Sequence, residues 1–301
     1  MRARPLRVGL NLFASERYRA AAGPLFEAGL VDALEWDVDD SWGRGPEQYR
    51  ELPRWVDDLL DVYSEDDALY GHGVWFSFLS ARLEPRQERW LEQLAHECKE
   101  RRYRHFSEHF GFFTAGDFTC GTMFPVPMTD TALRIGHDRL QRLALAADIP
   151  VGLENTAIAL STEDATTQGE FLRRLLEPSD GFLLFDVHNL WTQCRNLGLS
   201  VDDMLPRYPL ERVRELHVSG GDWYQPTVQA HKGPIRLDSH DGPVPDEAFA
   251  LVPTVLRRCP NVEVVFLEQR GANIESADDI ARYQADFKRL RDIVESVDDE
   301  A

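Results

Sequence analysis

Eight short apolar runs recur along the chain, separated by longer amphipathic stretches. They cover residues 6–12, 33–36, 68–74, 103–110, 150–155, 181–189, 213–218 and 262–268. Each has the length of a strand. Near-continuous apolarity, as in Phe182-Leu183-Leu184-Phe185, suits a parallel sheet buried on both faces. Between the runs the period lengthens. Residues 84–100 place Trp90, Leu91, Leu94 and Ala95 on one helical face. Residues 129–147 carry Leu133, Ile135, Leu140, Leu143 and Leu145, with Thr129 or Asp130 as the N-cap. Residues 246–258 and 276–297 follow the same logic, with Pro253 marking a kink or a first turn. Strand followed by helix, eight times, predicts an α/β protein of the (β/α)8 TIM-barrel type. The expected organisation is one barrel domain over residues 1–301, with a short acidic tail at 297–301.

Composition narrows the possibilities. A hydrophobic content of 43% builds a full core and excludes a disordered chain. No apolar run approaches the roughly 20 residues that cross a bilayer. Arg2, Arg4 and Arg7 are followed by no apolar stretch of the secretory kind. Cys98, Cys120, Cys194 and Cys259 are widely spaced, which fits neither a disulfide scaffold nor a zinc ribbon and points to a reducing cytoplasm. The net charge of −19 repels phosphate backbones, so nucleic acid is not an expected partner. Part of this acidity reads as solvated faces, as in Asp57-Asp58, Glu65-Asp66-Asp67 and Asp298-Asp299-Glu300.

The rest of it collects at the ends of the runs. In a TIM barrel the chemistry sits at the C-terminal ends of the strands. Those ends carry Glu35, His72, His109, Glu154, Asp186, His217 and Glu268, and the long connection after the seventh run adds Asp238-Ser239-His240. One buried histidine or one salt-bridged glutamate has an ordinary structural explanation. Several carboxylates converging on one mouth do not, because they repel and raise one another's pKa. These motifs hold few Lys or Arg, so divalent metal is the expected counter-charge. Imidazole and carboxylate without thiolate suit iron, manganese or zinc. The set exceeds what one ion takes, and two or three ions bridged by carboxylates fit better.

Other features are weaker. Cys194 has no neighbouring base to activate it. Gly220-Gly221 is a turn or an anion-facing backbone segment. His96, His105 and His137 read as structural, and His231 lies in a loop without an assigned role. Trp191 and Trp223 wall a pocket or pack in the core.

His72-Gly73-Val74, Ser107-Glu108-His109, Leu153-Glu154-Asn155, Asp186-Val187-His188-Asn189, Leu216-His217 and Asp238-Ser239-His240 together resemble the multinuclear non-heme iron-dependent oxidases. That family, long catalogued as a bacterial domain of unknown function, has the xylose-isomerase-like barrel. The resemblance implies two or three irons (Fe2+/Fe3+) and use of O2 to modify a ribosomally made precursor peptide, commonly at cysteine. It also implies a small partner protein that presents the peptide. By position it implies His72, His109 and Glu154 around one iron, with Glu154 bridging to a second held by Asp186 and His217. Asn189, Asp238, His240 and Glu268 would hold a third. Two departures stand out. His188 replaces the usual Asn and is a candidate catalytic proton carrier, and Glu268-Gln269-Arg270 replaces the usual Glu-Trp-Asp. Two alternatives share parts of the set. Glu154, Asp186, His217 and Glu268 alone resemble a divalent-metal sugar isomerase or epimerase. The three-zinc apurinic endonucleases share most of the ligand order, but have His at the place of Asn189 and require a DNA-binding surface.

Overall fold

The computed structural model describes residues 5–40, 42, 51–226, 233–270 and 274–299. Eight strands close into a barrel: β1 (Arg7–Leu12), β2 (Ala33–Asp37), β3 (Leu69–Gly73), β4 (Phe106–His109), β7 (Val151–Glu154), β8 (Phe182–Asp186), β9 (Val213–Ser219) and β12 (Val264–Glu268). All neighbours are parallel and follow chain order, with Arg7–Leu10 of β1 paired to Val264–Leu267 of β12 to shut the ring. The predicted TIM barrel is therefore the fold. Two hairpins stand outside the ring. One joins β5 (Phe112–Ala115) to β6 (Phe118–Phe124); the other joins β10 (Trp223–Tyr224) to β11 (Ile235–Arg236).

A helix follows each barrel strand: α1 (Glu16–Glu27), α2 (Arg54–Glu65), α3 (Pro85–Glu100), α4 (Asp130–Ala147), α5 (Thr162–Leu176), α6 (Val187–Leu197), α8 (Asp246–Arg258) and α9 (Ala277–Asp299), with the short α7 (Val201–Met204) after α6. Thr129 is the N-cap of α4, its hydroxyl accepting from Ala132 N. In α3 the buried face is Gln87, Trp90, Leu94 and Glu97, while Leu91 and Ala95 are half-buried at its edge. Among the described residues, no helix is long and apolar enough to cross a membrane.

Four local expectations change. The sixth run does not stay extended to Asn189. It ends at Asp186, whose carboxylate accepts from Asn189 N at 2.7 Å and caps α6 directly. Leu145 faces solvent at 76% exposure, because the helical period turns it away from Leu140 and Leu143. Pro253 lies in the middle of α8 and not in its first turn, and the helix runs on past it to Arg258. The acidic tail is helical as far as Asp299, and Asp298 accepts from Leu6 N at 3.2 Å, while Glu300 and Ala301 lie outside the described residues.

Strand alternation sorts the side chains into two layers. Leu34, Trp36, Leu153, Phe185, Leu216, Val218 and Leu267 point out into the large core beneath the helices. Ala33, Tyr70, Val264 and Phe266 form a separate apolar plug within the ring. Gly9 makes room for that plug, since a Cβ there would lie 2.4 Å from both Ala33 O and the Phe266 ring. Two residues beyond Ala33, Tyr70 and Phe266, the inward positions turn polar: Glu35, His72 and Glu268.

Candidate metal centre

The site is built on that alternation. Glu154 and Asp186 end otherwise apolar strands, His217 lies between Leu216 and Val218, and the three are buried at 2%, 0% and 0% exposure. Three groups of side chains bring ligand atoms within 4.8 Å of one another: His72–His109–Glu154, Glu154–Asp186–His217 and Glu35–Glu215–His217. Glu154 belongs to two of them.

In the first group, His72 Nε2 and His109 Nε2 lie 3.7 and 3.4 Å from Glu154 Oε2. The opposite nitrogens are engaged elsewhere. His109 Nδ1 donates to Gly73 O at 3.0 Å, and His72 Nδ1 meets Ser107 Oγ at 2.7 Å. Such contacts fix the ring orientation and tautomer of a metal-binding histidine. Burial pushes both imidazoles below their ordinary pKa, so they are neutral and able to donate a lone pair.

Asp186 is oriented by Asn189 N and by Ser219 Oγ at 2.9 Å. Asn189 Nδ2 donates to Glu154 Oε1 at 3.1 Å and to Asn155 O at 3.0 Å, which leaves Asn189 Oδ1 buried without a hydrogen-bond partner. A leftover amide oxygen beside two carboxylates is the donor a hard cation takes, so this chain's own residues fit the implied metal.

The remaining candidates surround one imidazole. His240 Nδ1 is 2.9 Å from Glu268 Oε1, and its Nε2 is 2.6 Å from Asp238 Oδ1. These contacts hold His240 well above the ordinary histidine range against the effect of burial, and hold both carboxylates below theirs. Burial also raises Glu154, with the Glu268 and Asp186 charges adding to it, and pushes Asp186 up to about 6.

A cavity of about 440 Å³ opens over this set. His72, His109, Asn189, Asp238, His240 and Glu268 line it beside Asp37 and Asp241, with Phe113, Met123 and Ile158 as its apolar wall. Arg270 is the cationic side chain among its described lining residues. Phe113 and Met123 come from the β5–β6 hairpin, which the strand-by-strand reading did not anticipate.

His188 lies off the cavity. It is fully buried behind the ligand set, with Nδ1 3.2 Å from Ser219 Oγ and 3.7 Å from Asp238 Oδ1, and Nε2 3.2 Å from Thr192 Oγ1. Trp191 and Trp223 do not line the cavity either. They sandwich the Arg236 guanidinium at 5.4 and 5.8 Å. Burial pushes the Cys194 thiol up to about 11, which suits packing and not attack. Gly220-Gly221 serves close approach: a Cβ on Gly220 would lie 2.4 Å from Gly242 O, and one on Gly221 2.1 Å from Leu237 O. His96 is exposed and His137 faces Arg174 O at 3.1 Å. His231 lies outside the described residues.

Sequence reasoning did not single out Glu215 or Asn11, and it noted Glu35 only as a strand end. Glu215 precedes His217 by two, so the period of 2 already placed it on the same inward face. Its carboxylate meets His105 Nε2 at 2.6 Å, the contact that makes His105 structural.

Solved structures share this architecture. L-ribulose 3-epimerase superposes with a TM-score of 0.59 at 13% identity, over 98% of this chain and 96% of that one. Endonuclease IV from Thermus thermophilus gives 0.56 at 17%, over 95% and 99%. The class is thus a TIM barrel with a ligand-rich C-terminal mouth. A UPF0276 protein of Rhizobium meliloti (strain 1021) is 26% identical over 259 residues, 84% of this chain and 81% of that protein. The family model described as RiPP precursor modification enzyme MbnB/TglH/ChrH matches residues 44–294, and this chain belongs to that family. RiPPs are peptides made on the ribosome and modified afterwards.

Proposed function

We propose that this chain is a multinuclear iron-dependent oxidase that uses O2 to modify a precursor peptide at cysteine. The observation that carries the reading is Glu154, a carboxylate shared by two three-ligand groups, which is the arrangement of a bridging ligand. His72, His109 and Glu154 would hold one ion, and Glu154, Asp186 and His217 a second. Asn189, Asp238, His240 and Glu268 are the donors for a third. Iron so held supplies one-electron chemistry with O2 and a positive centre that binds and acidifies a thiolate.

The chain's own residues do the rest. Gly73 O and Ser107 Oγ hold the first two imidazoles with Nε2 toward Glu154. The α6 N-terminus and Ser219 hold Asp186 in place. Phe113, Met123 and Ile158 exclude water from one side of the cavity. His188 is the candidate proton carrier of this reading, because its Nδ1 meets Ser219 Oγ, which in turn reaches Asp238. Arg270, on the rim of an otherwise acidic cavity, selects among peptides by charge. A cytoplasmic setting and a small peptide-presenting partner protein belong to the same reading.

Metal analysis of protein purified anaerobically without added metal tests it. The expected result is two or three irons per chain, with O2 consumed as the cognate peptide is modified. Glu154→Ala should remove more than one equivalent and His72→Ala at most one. One zinc or manganese per chain without iron, or full-rate modification under strict anaerobiosis, would overturn the oxidase and favour the isomerase-like alternative.

A further inference from the structure

Glu35 and Glu215 lie one layer deeper than the mouth and have no part in the reading above, but both meet His217, which does. His217 stands between carboxylates on both sides. Its Nδ1 is 2.9 Å from Glu268 Oε2 at the strand ends. Its Nε2 is 3.0 and 3.1 Å from the two oxygens of Glu35, and 3.4 Å from Glu215 Oε1. Both deep carboxylates are braced. Asn11 Nδ2 donates to Glu35 Oε2 and to Asp37 Oδ1, each at 2.9 Å. His105 Nε2 holds Glu215 Oε2 at 2.6 Å, with the His105 ring wedged between Tyr70 and Phe182 at 4.7 and 4.3 Å. Glu35, Glu215 and His217 are fully buried, so no solvent shares these contacts.

An imidazole binds a metal through the ring nitrogen that carries no proton. Carboxylates accept hydrogen bonds, so a nitrogen facing two of them must supply the proton. Nε2 of His217 faces two carboxylates and Nδ1 faces one, Glu268, so when a metal displaces one of the ring protons it is Nδ1 that becomes the donor toward the mouth. His72 and His109 are turned the other way, with Nδ1 engaged and Nε2 toward Glu154.

We propose that Glu35 and Glu215, braced by Asn11 and His105, are positioning residues that keep the proton on Nε2 of His217 and present Nδ1 to the metal shared with Glu154 and Asp186. This rests on the metal-binding reading of the mouth. It assigns the deep group a different task from holding an ion of its own, which is what three such side chains would otherwise suggest.

Histidine side-chain 15N NMR of the zinc-loaded full-length protein reads the proton directly, with His217 assigned by comparison with His217→Asn. The expected result is a proton on Nε2 and a metal-bound Nδ1, the opposite of His72 and His109. Chelator competition with Fe(II) adds a second readout. Glu35→Gln and Glu215→Gln should each keep the wild-type metal count at saturation. Each should need roughly 10- to 100-fold more free Fe(II) to fill the Glu154–Asp186–His217 group. Loss of a whole equivalent at saturation would show that the deep group holds an ion, and unchanged affinity would show that it only packs. A metal-bound Nε2 would also overturn the proposal, on wild-type protein alone if the variants fail to fold. Wild-type protein that takes up no metal would overturn the reading of the mouth instead. An unprotonated Nε2 in that metal-free protein would still overturn the proposal.

Discussion

Asp186 is a carboxylate placed where its charged form is least stable. Burial pushes it up to about 6, and the nearby Asp238 charge adds to that. Glu154 is raised by the same cause. Below about 6 Asp186 keeps its proton, and an incoming cation must displace it. Metal uptake should therefore weaken as pH falls through that value, and loading near pH 6 should release protons. Calorimetric titration in two buffers of different ionisation enthalpy measures that release. Uptake independent of pH between 5 and 7.5 would contradict the assignment of Asp186. At this scale much was legible. Glu154, Asp186 and His217 stand out as polar residues inside apolar runs. The positions of Glu215 and Asn11 were implied by the period of 2, but their partners were not. A partner such as His105 is 110 residues from Glu215 and is fixed only by the closed ring.

Elements explain how the third set of donors reaches the mouth. Asp238 and His240 lie on no barrel strand. They arrive on the connection after β9, which must pack tightly against Gly220-Gly221 to do so. A methyl group at Gly221 would meet Leu237 O, an atom of the backbone that cannot swing aside. Gly221→Ala should thus displace the Asp238–His240 segment and cost about 1–3 kcal/mol. A thermal melt shows the cost. Metal analysis should show loss of the ion assigned to Asp238, His240 and Glu268, with the His72–His109–Glu154 ion retained. Equal retention of all ions would mean that the loop tolerates the methyl. The sequence located this connection and its Asp238-Ser239-His240 motif. It did not reveal why two glycines stand there, because the reason is an approach of two chain segments and not a turn. Strand six was overextended for a similar reason. Val187 is apolar in either state, and only the capping bond of Asp186 decides that it opens a helix.

At the scale of the molecule, a chain of net charge −19 gathers carboxylates at one end of its barrel and offsets them internally. His240 pairs with Asp238 and Glu268, and His217 with Glu35 and Glu268. These pairs let the barrel stand without metal, so chelation should leave the far-ultraviolet circular dichroism at 25 °C unchanged. Metal that binds the folded state more tightly than the unfolded chain should raise the melting temperature. At free metal 100 times Kd, a site adds about 2.7 kcal/mol, a shift of several degrees. Scanning fluorimetry with and without chelator measures it. Unfolding on chelation would instead make the metals structural. The strand–helix rhythm announced the ring itself, since each strand needs an outward apolar face against its own helix. The β5–β6 hairpin escaped notice because its phenylalanines merge into the same apolar background.

The ring is shut by β1 against β12, residues from opposite ends of the chain. Glu268, which holds both His217 and His240, belongs to that closing strand. During synthesis the other donors are all made before it. A growing chain therefore carries His72, His109 and Glu154 for most of its elongation without the geometry to use them. A metal ion that reached such a chain would find loose imidazoles open to miscoordination. Late closure delays the completed pocket until β12 has been made, and so orders two events in time, folding first and loading second.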